Sequence, residues 1–254
     1  VFIYKAKLLI LCIQKATKME TVEAILNELA EMGSAQTRKT FANHGAPDSM
    51  YGVKVGDMKK IVKRVKKNHA LAKGLYDSGN SDAMYLAGLI GDETKMTKTD
   101  LNKWANNSSW YMISEFAVPF VAAESPLGWE LALEWIDSPK ENVAACGWAT
   151  LSGIVSICPD EALDIKTLKS LLARVQKEIH QAQNRVRYTM NGFVLAVGSY
   201  VVSLTALAKQ VADKVGKVHV TVGNTACKVP EVIPYLEKME TMDKVGVKRK
   251  TVRC

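Results

Sequence analysis

Apolar residues recur at helical spacing almost without a break from residue 22 to residue 242, and this property excludes most folds. Val22, Ile25, Leu26 and Leu29 line one face of a first helix, which Gly33 and Ser34 end. Met58, Ile61, Val62 and Val65 form the stripe of a helix expected over 56–68, whose remaining faces carry Lys59, Lys60, Lys63, Arg64, Lys66 and Lys67. Further helices are expected at 70–78, 81–91, 98–106, 110–123, 126–136, 143–157 and 163–182. A long one follows at 187–214, and a last one at 230–242 carries Pro230 in its first turn.

Connectors are short and hold Gly, Pro, Asp or Ser, as stacked helix pairs require. Only Val218-His219-Val220-Thr221-Val222 alternates like a strand. The expectation is an all-α protein with one short extended segment near 218–222. Helix pairs repeat at about 25–45 residues, the spacing of HEAT-like repeats stacked into a curved α-α superhelix; a compact helical domain is the alternative. Residues 19–242 are expected to form one domain, with 243–254 as a basic tail. Residues 1–18 read as an extension upstream of Met19, because their apolar run is short and lacks a small-residue cleavage site.

Charge narrows the choice of partner. The chain carries a net charge of +8 and a pI of about 9.1, which favours a polyanion. The basic residues are clustered: eight Lys/Arg face one acid, Asp57, between Lys54 and Lys73, and five lie in the tail from Lys244 to Arg253. Between them, Arg185 and Arg187 interleave with Tyr188. Lys59, Lys63, Lys66, Lys67, Arg185 and Arg187 are the candidate phosphate contacts. No helix-turn-helix, zinc-finger or RNA-recognition motif is present, so base-specific readout is not expected.

Other chemistries find little support. The five cysteines are scattered without a C-x-x-C, a reduced intracellular pattern, and the four histidines show no ligand spacing. No metal or cofactor is therefore expected. No apolar run approaches the ~20 residues of a membrane span. Phosphate loops, nucleophile elbows and H-E-x-x-H are all missing, and Cys227 beside Lys228 has no histidine near it in sequence.

One stretch does suggest a site. In Asn106-Asn107-Ser108-Ser109-Trp110-Tyr111-Met112-Ile113-Ser114-Glu115, Ser108 or Ser109 is expected to cap a helix whose first turn holds Trp110 and Tyr111. Tyr111 and Glu115, four apart, would then share a face, an aromatic plate beside a carboxylate that suits a cationic ring. The plainer reading is a capped helix with two core aromatics and a solvated acid.

Several motifs in shared order resemble the DNA alkylation repair family of AlkD-like HEAT-repeat proteins. Asn43-His44 leads into Met50-Tyr51-Gly52-Val53-Lys54-Val55, similar to the turn that opens an early basic helix there. Ser109-Trp110-Tyr111, Glu115 and Val118-Pro119 resemble the family's Ser-Trp-Trp-Asp-x-x-Asp stretch ending in Val-Pro. Residues 184–198 and 218–230 resemble the C-terminal part of one branch.

The resemblance implies a basic concave face that grips double-stranded DNA, damaged or distorted, and hydrolysis of the N-glycosidic bond of N3- or N7-alkylated purines. Glu115 falls on the catalytic Asp position, Tyr111 on an active-site Trp, and Phe193 on a second one, while Trp110 keeps the preceding Trp. An arginine of the active enzymes falls on Gly147. These departures lead to the alternative of a non-catalytic binder of damaged or branched DNA. A monomer in the cytoplasm, associated with the nucleoid and needing no protein partner, is expected on either reading.

Overall fold

A computed structural model describes residues 20–253; the extension expected at 1–18 lies outside them. Thirteen α-helices and no strand are formed among the described residues. In order they are α1 (Val22–Met32), α2 (Ala35–Asn43), α3 (Val55–Val65), α4 (His69–Asp77), α5 (Ser81–Ile90), α6 (Lys98–Asn107) and α7 (Val118–Ala122). There follow α8 (Gly128–Trp135), α9 (Glu141–Ile157), α10 (Ile165–Glu178), α11 (Asn184–Tyr200), α12 (Thr205–Val215) and α13 (Val232–Thr241).

Neighbouring helices pack in pairs, α4 on α5, α8 on α9 and α11 on α12, and the α9–α11 contact joins the pairs into a stack. Both α9 and α11 have 17 residues and are buried on most faces, so they form the spine of the core. Trp148 of α9 meets Phe193 of α11 edge to face at 5.2 Å. Gly147 lies where α9 crosses α8: a Cβ there would stand 2.7 Å from the Ile136 nitrogen. Position 147 therefore takes no side chain and faces backbone, not a groove.

The turn before the basic helix is held from a distance. Both oxygens of the buried Asp82 carboxylate accept backbone N–H groups, from Tyr51 at 2.6 Å, Gly52 at 3.0 Å and Val53 at 3.0 Å. Gly52 has φ +81°, and a Cβ there would meet the Arg38 nitrogen at 2.6 Å, so the turn requires glycine on both counts.

Two elements differ from the sequence expectation. The long helix expected over 187–214 is two helices, α11 and α12, bent by 118° across a break at Val201. Thr205 Oγ1 donates to the Gly198 carbonyl freed at that corner, and α12 folds back onto α11 and α10. Tertiary packing overrides a continuous apolar period. Residues 218–222 form no strand among the described residues; Thr221 exchanges both backbone groups with the Asn184 side-chain amide at 2.7 and 2.8 Å. An amide side chain thus replaces the neighbouring strand.

The basic tail folds back along the stack. Arg253, its side chain only 10 % exposed, donates to the Leu89 and Gly91 carbonyls at the end of α5 and pairs with Glu93 and Glu124. Lys248 pairs with Asp160 and donates to the Val155 carbonyl. A cation at a helix C-terminus also meets the negative end of its dipole. Two of the five tail cations therefore tie the protein to itself, and Lys244, Arg249 and Lys250 have no ion pair among the described residues.

Candidate nucleic-acid interface

The stretch before Glu115 is built differently from a capped helix. Ser108 Oγ donates to the Ala105 carbonyl and accepts from Asn142, so it closes α6 and does not open the next helix. Trp110 precedes the helical residues, and its carbonyl takes the first bonds from Ile113 and Ser114. From Ile113 to Ala117 the chain makes a π-turn, with the Val118 N–H donating to the Ile113 carbonyl five residues back. Pro119 explains this turn. It has no N–H for the Glu115 carbonyl and its ring would crowd that oxygen, so the turn ahead of it widens. The wider turn sets the direction of Glu115.

Glu115 then meets a residue seventy positions away. Arg185, on the first turn of α11, donates from Nε to one carboxylate oxygen at 2.6 Å and from Nη2 to the other at 2.7 Å. The Glu115 side chain is 3 % exposed and that of Arg185 19 %. The guanidinium carbon lies 4.7 Å from the centre of the Tyr111 ring and 4.5 Å from that of Tyr188. Arg185 thus sits in a cage of two aromatic faces and a bidentate carboxylate, a geometry specific to arginine. Its backbone N–H donates to Glu141 at 2.8 Å, which fixes where the side chain starts.

Burial pushes the Glu115 carboxyl above its ordinary value, while the Arg185 hydrogen bonds and charge pull it back. Burial likewise raises the Tyr111 and Tyr188 phenols. Each group is held in this site against a desolvation cost, so the contacts among them must be well made.

The other candidates are distributed differently. Trp110 is buried, tilted against Phe41 at 5.3 Å, with its Nε1 donating to the His44 carbonyl. It packs the α2 end against the π-turn, and the small part of it that is exposed borders a cleft beside Tyr111 and Arg185. Phe193 is fully buried against Trp148, which corrects the expectation that it lines a groove. Its neighbour Gly192 is the residue on the open side of α11.

Lys59, Lys63 and Lys66 are exposed on or beside α3 with no ion pair among the described residues. Lys67 pairs with Glu93 at 2.5 Å. Arg64 spans Glu20 and Glu28. Arg187 is partly buried and its Nε has no acceptor among the described residues. Tyr188 was legible only as part of a basic-aromatic run, and its place three residues after Arg185 is the signal that pairs them on one helix face.

The segment from Gly216 to Pro230 lies above the cage. The Asn224 N–H donates to the Asn43 carbonyl at 2.8 Å, so this segment reaches from α12 across to the end of α2. Beneath it is a cleft of about 310 Å3 bordered by His44, Tyr111, Arg185, Tyr188, Gly223 and Lys228. The Arg185 guanidinium that borders this cleft is already paired with the Glu115 carboxylate.

Stacked helix pairs with an acid, two tyrosines and an arginine gathered between them define a HEAT-like helical-repeat protein. Residues 25–203 match the model of the DNA alkylation repair enzyme family, and the chain belongs to that family. It is 37 % identical over 232 residues to the uncharacterized protein Lmo0209 of Listeria monocytogenes, covering 89 % of this chain and 100 % of that one. It is also 37 % identical over 226 residues to Lin0241 of Listeria innocua, covering 87 % of this chain and 97 % of that one. A solved structure described as "a new family of proteins related to the HEAT-like repeat DNA glycosylases with affinity for branched DNA structures" superposes with a TM-score of 0.86. That similarity is 31 % in sequence and covers 92 % of this chain and 100 % of the other.

Proposed function

We propose that this protein binds branched or otherwise distorted DNA through its basic surface and does not excise bases. One observation carries this reading: Arg185 fills the cage formed by Tyr111, Tyr188 and Glu115. A glycosylase for alkylated purines needs a carboxylate whose charge is free to stabilise the oxocarbenium-like sugar. Here that charge is spent on an internal guanidinium, and the aromatic faces that would attract a cationic base are covered by the same group. Position 147, where active relatives are expected to carry arginine, has no room for a side chain. The affinity of the structurally similar protein for branched DNA supports the choice of partner. Lys59, Lys63 and Lys66, all exposed and unpaired among the described residues, supply phosphate contacts without base readout. The proposed setting is the cytoplasm, with the chromosome as partner and the protein acting as a monomer.

A second reading, base excision, has one observation in its favour: Glu115 and the two tyrosines already surround a cation. Displacement of Arg185 by an alkylpurine would turn the cage into a substrate site. The two readings separate in one experiment on the full chain, using methylated duplex DNA and a four-way junction. The expected result is preferential binding of the junction with no 7-methylguanine released above background. Base release that Glu115→Gln abolishes would overturn the non-catalytic reading. Equal affinity for junction and plain duplex would overturn the preference for branched DNA.

A further inference from the structure

Beside the Glu115–Arg185 pair lies a recess of about 240 Å3 that the pair leaves open. It runs between α9 and α11, with Phe116 of the π-turn at one end and Tyr200 at the other. Tyr188 borders both the recess and the Arg185 cage. We propose that the recess receives one unpaired nucleobase of a branched DNA, with Arg249 on the adjoining phosphate. This inference rests on the branched-DNA reading and names the part of the branch that is held.

Three features support that occupant. The walls are mainly apolar and aromatic, which suits the flat face of a base and not a charged group. Two charged residues line the recess: Glu115, whose carboxylate is held by Arg185, and Arg249, exposed at the rim and without an ion pair among the described residues. Its position is nevertheless fixed, because its backbone N–H donates to the Ser156 carbonyl at 2.8 Å and the tail beyond it is anchored through Arg253. An apolar slot with a positioned cation at its mouth matches a base joined to a phosphate.

Gly192 is the third feature. Glycine weakens a helix interior, and nothing lies within 4 Å of where its Cβ would be. No close packing calls for glycine at this point. A side chain there would project into the open space of the recess, so the glycine keeps the space free. A base paired within a duplex is stacked and cannot enter, whereas one at a branch point is available.

The test uses the full chain and three four-way junctions: one with a single unpaired adenine at the branch, one with an abasic residue in its place, and one fully paired. Wild type is expected to prefer the adenine junction over the abasic one by about tenfold, the effect of one stacked base. A 2-aminopurine in the adenine position should lose fluorescence on binding. Gly192→Leu should erase both effects and keep wild-type affinity for the paired junction. Equal wild-type affinity for the adenine and abasic junctions overturns the recess while leaving junction binding intact, and needs no variant to fold. If no junction binds better than duplex, the branched-DNA reading fails and the recess with it.

Discussion

Arg185 holds both carboxylate oxygens of Glu115, at 2.6 and 2.7 Å, from a position seventy residues later in the chain. The pair welds the π-turn before α7 to the first turn of α11, and Tyr111 and Tyr188 enclose the guanidinium. Its first role is structural.

Breaking the pair from one side should therefore be expensive. Arg185→Ala leaves a buried carboxylate without a partner, a change expected to cost about 3–5 kcal/mol. Removing both charges in Arg185→Met/Glu115→Gln should restore much of that loss, because the desolvation cost disappears with the pair. Urea unfolding of the wild type, both single variants and the double variant closes the cycle; additive losses would show that the two residues do not act together.

The pair also predicts the sign of a pH effect. Burial raises the folded-state value of the Glu115 carboxyl above its unfolded value, so the folded protein binds the proton more tightly. Such a group makes stability fall as pH rises from the ordinary carboxylate range through the raised value. In Arg185→Gln the opposing guanidinium is gone and only the burial remains. The downward slope of stability with pH should then be steeper than in wild type, read from melting temperatures in a series of buffers. Glu115→Gln in that background should flatten it.

The anchored tail gives a third expectation. Arg253 makes two bonds to the carbonyls at the end of α5 and pairs with Glu93 and Glu124. Arg253→Ala should destabilise the protein by about 3 kcal/mol, since it leaves buried acceptors and acids unpaired. Lys250→Ala, at a residue that is exposed and without an ion pair among the described residues, should be neutral. Thermal unfolding distinguishes them, and equal melting temperatures would show that the tail is dispensable to the fold.

DNA contacts can be counted through salt. If Lys59 and Lys63 each neutralise a phosphate, Lys59→Ala and Lys63→Ala should each weaken binding to any DNA sequence. Each should also lower the slope of log affinity against log salt by about 1. Arg64→Ala should change the slope less, because Arg64 is already paired with Glu20 and Glu28. An unchanged slope in both lysine variants would remove α3 from the interface.

Sequence patterning made the all-α class and most helices legible, because helical period is a local property repeated every turn. It failed at two corners. The apolar period runs through Val201 although the chain bends by 118° there, and residues 218–222 alternate like a strand although an asparagine side chain is their partner. In both places a distant contact decided the backbone path. Among the site residues, Tyr111 and Glu115 were drawn together by their four-residue spacing, and they do share one arginine. Phe193 looked like a groove residue from its motif, yet it is core, since one position along α11 turns a side chain by about 100° from solvent toward Trp148.

By itself, then, the sequence determined a stack of short helices, a basic surface and the residue types of an aromatic and acidic site. Only the tertiary structure decided that the acid is already paired, that the tail ties the repeats together, and that the open side of α11 is lined by Gly192. The reason is range. Periodicity, capping and charge clustering act over a few residues, whereas the partner of Glu115 is brought to it by the packing of α9 against α11. No local pattern reports which cation will arrive there.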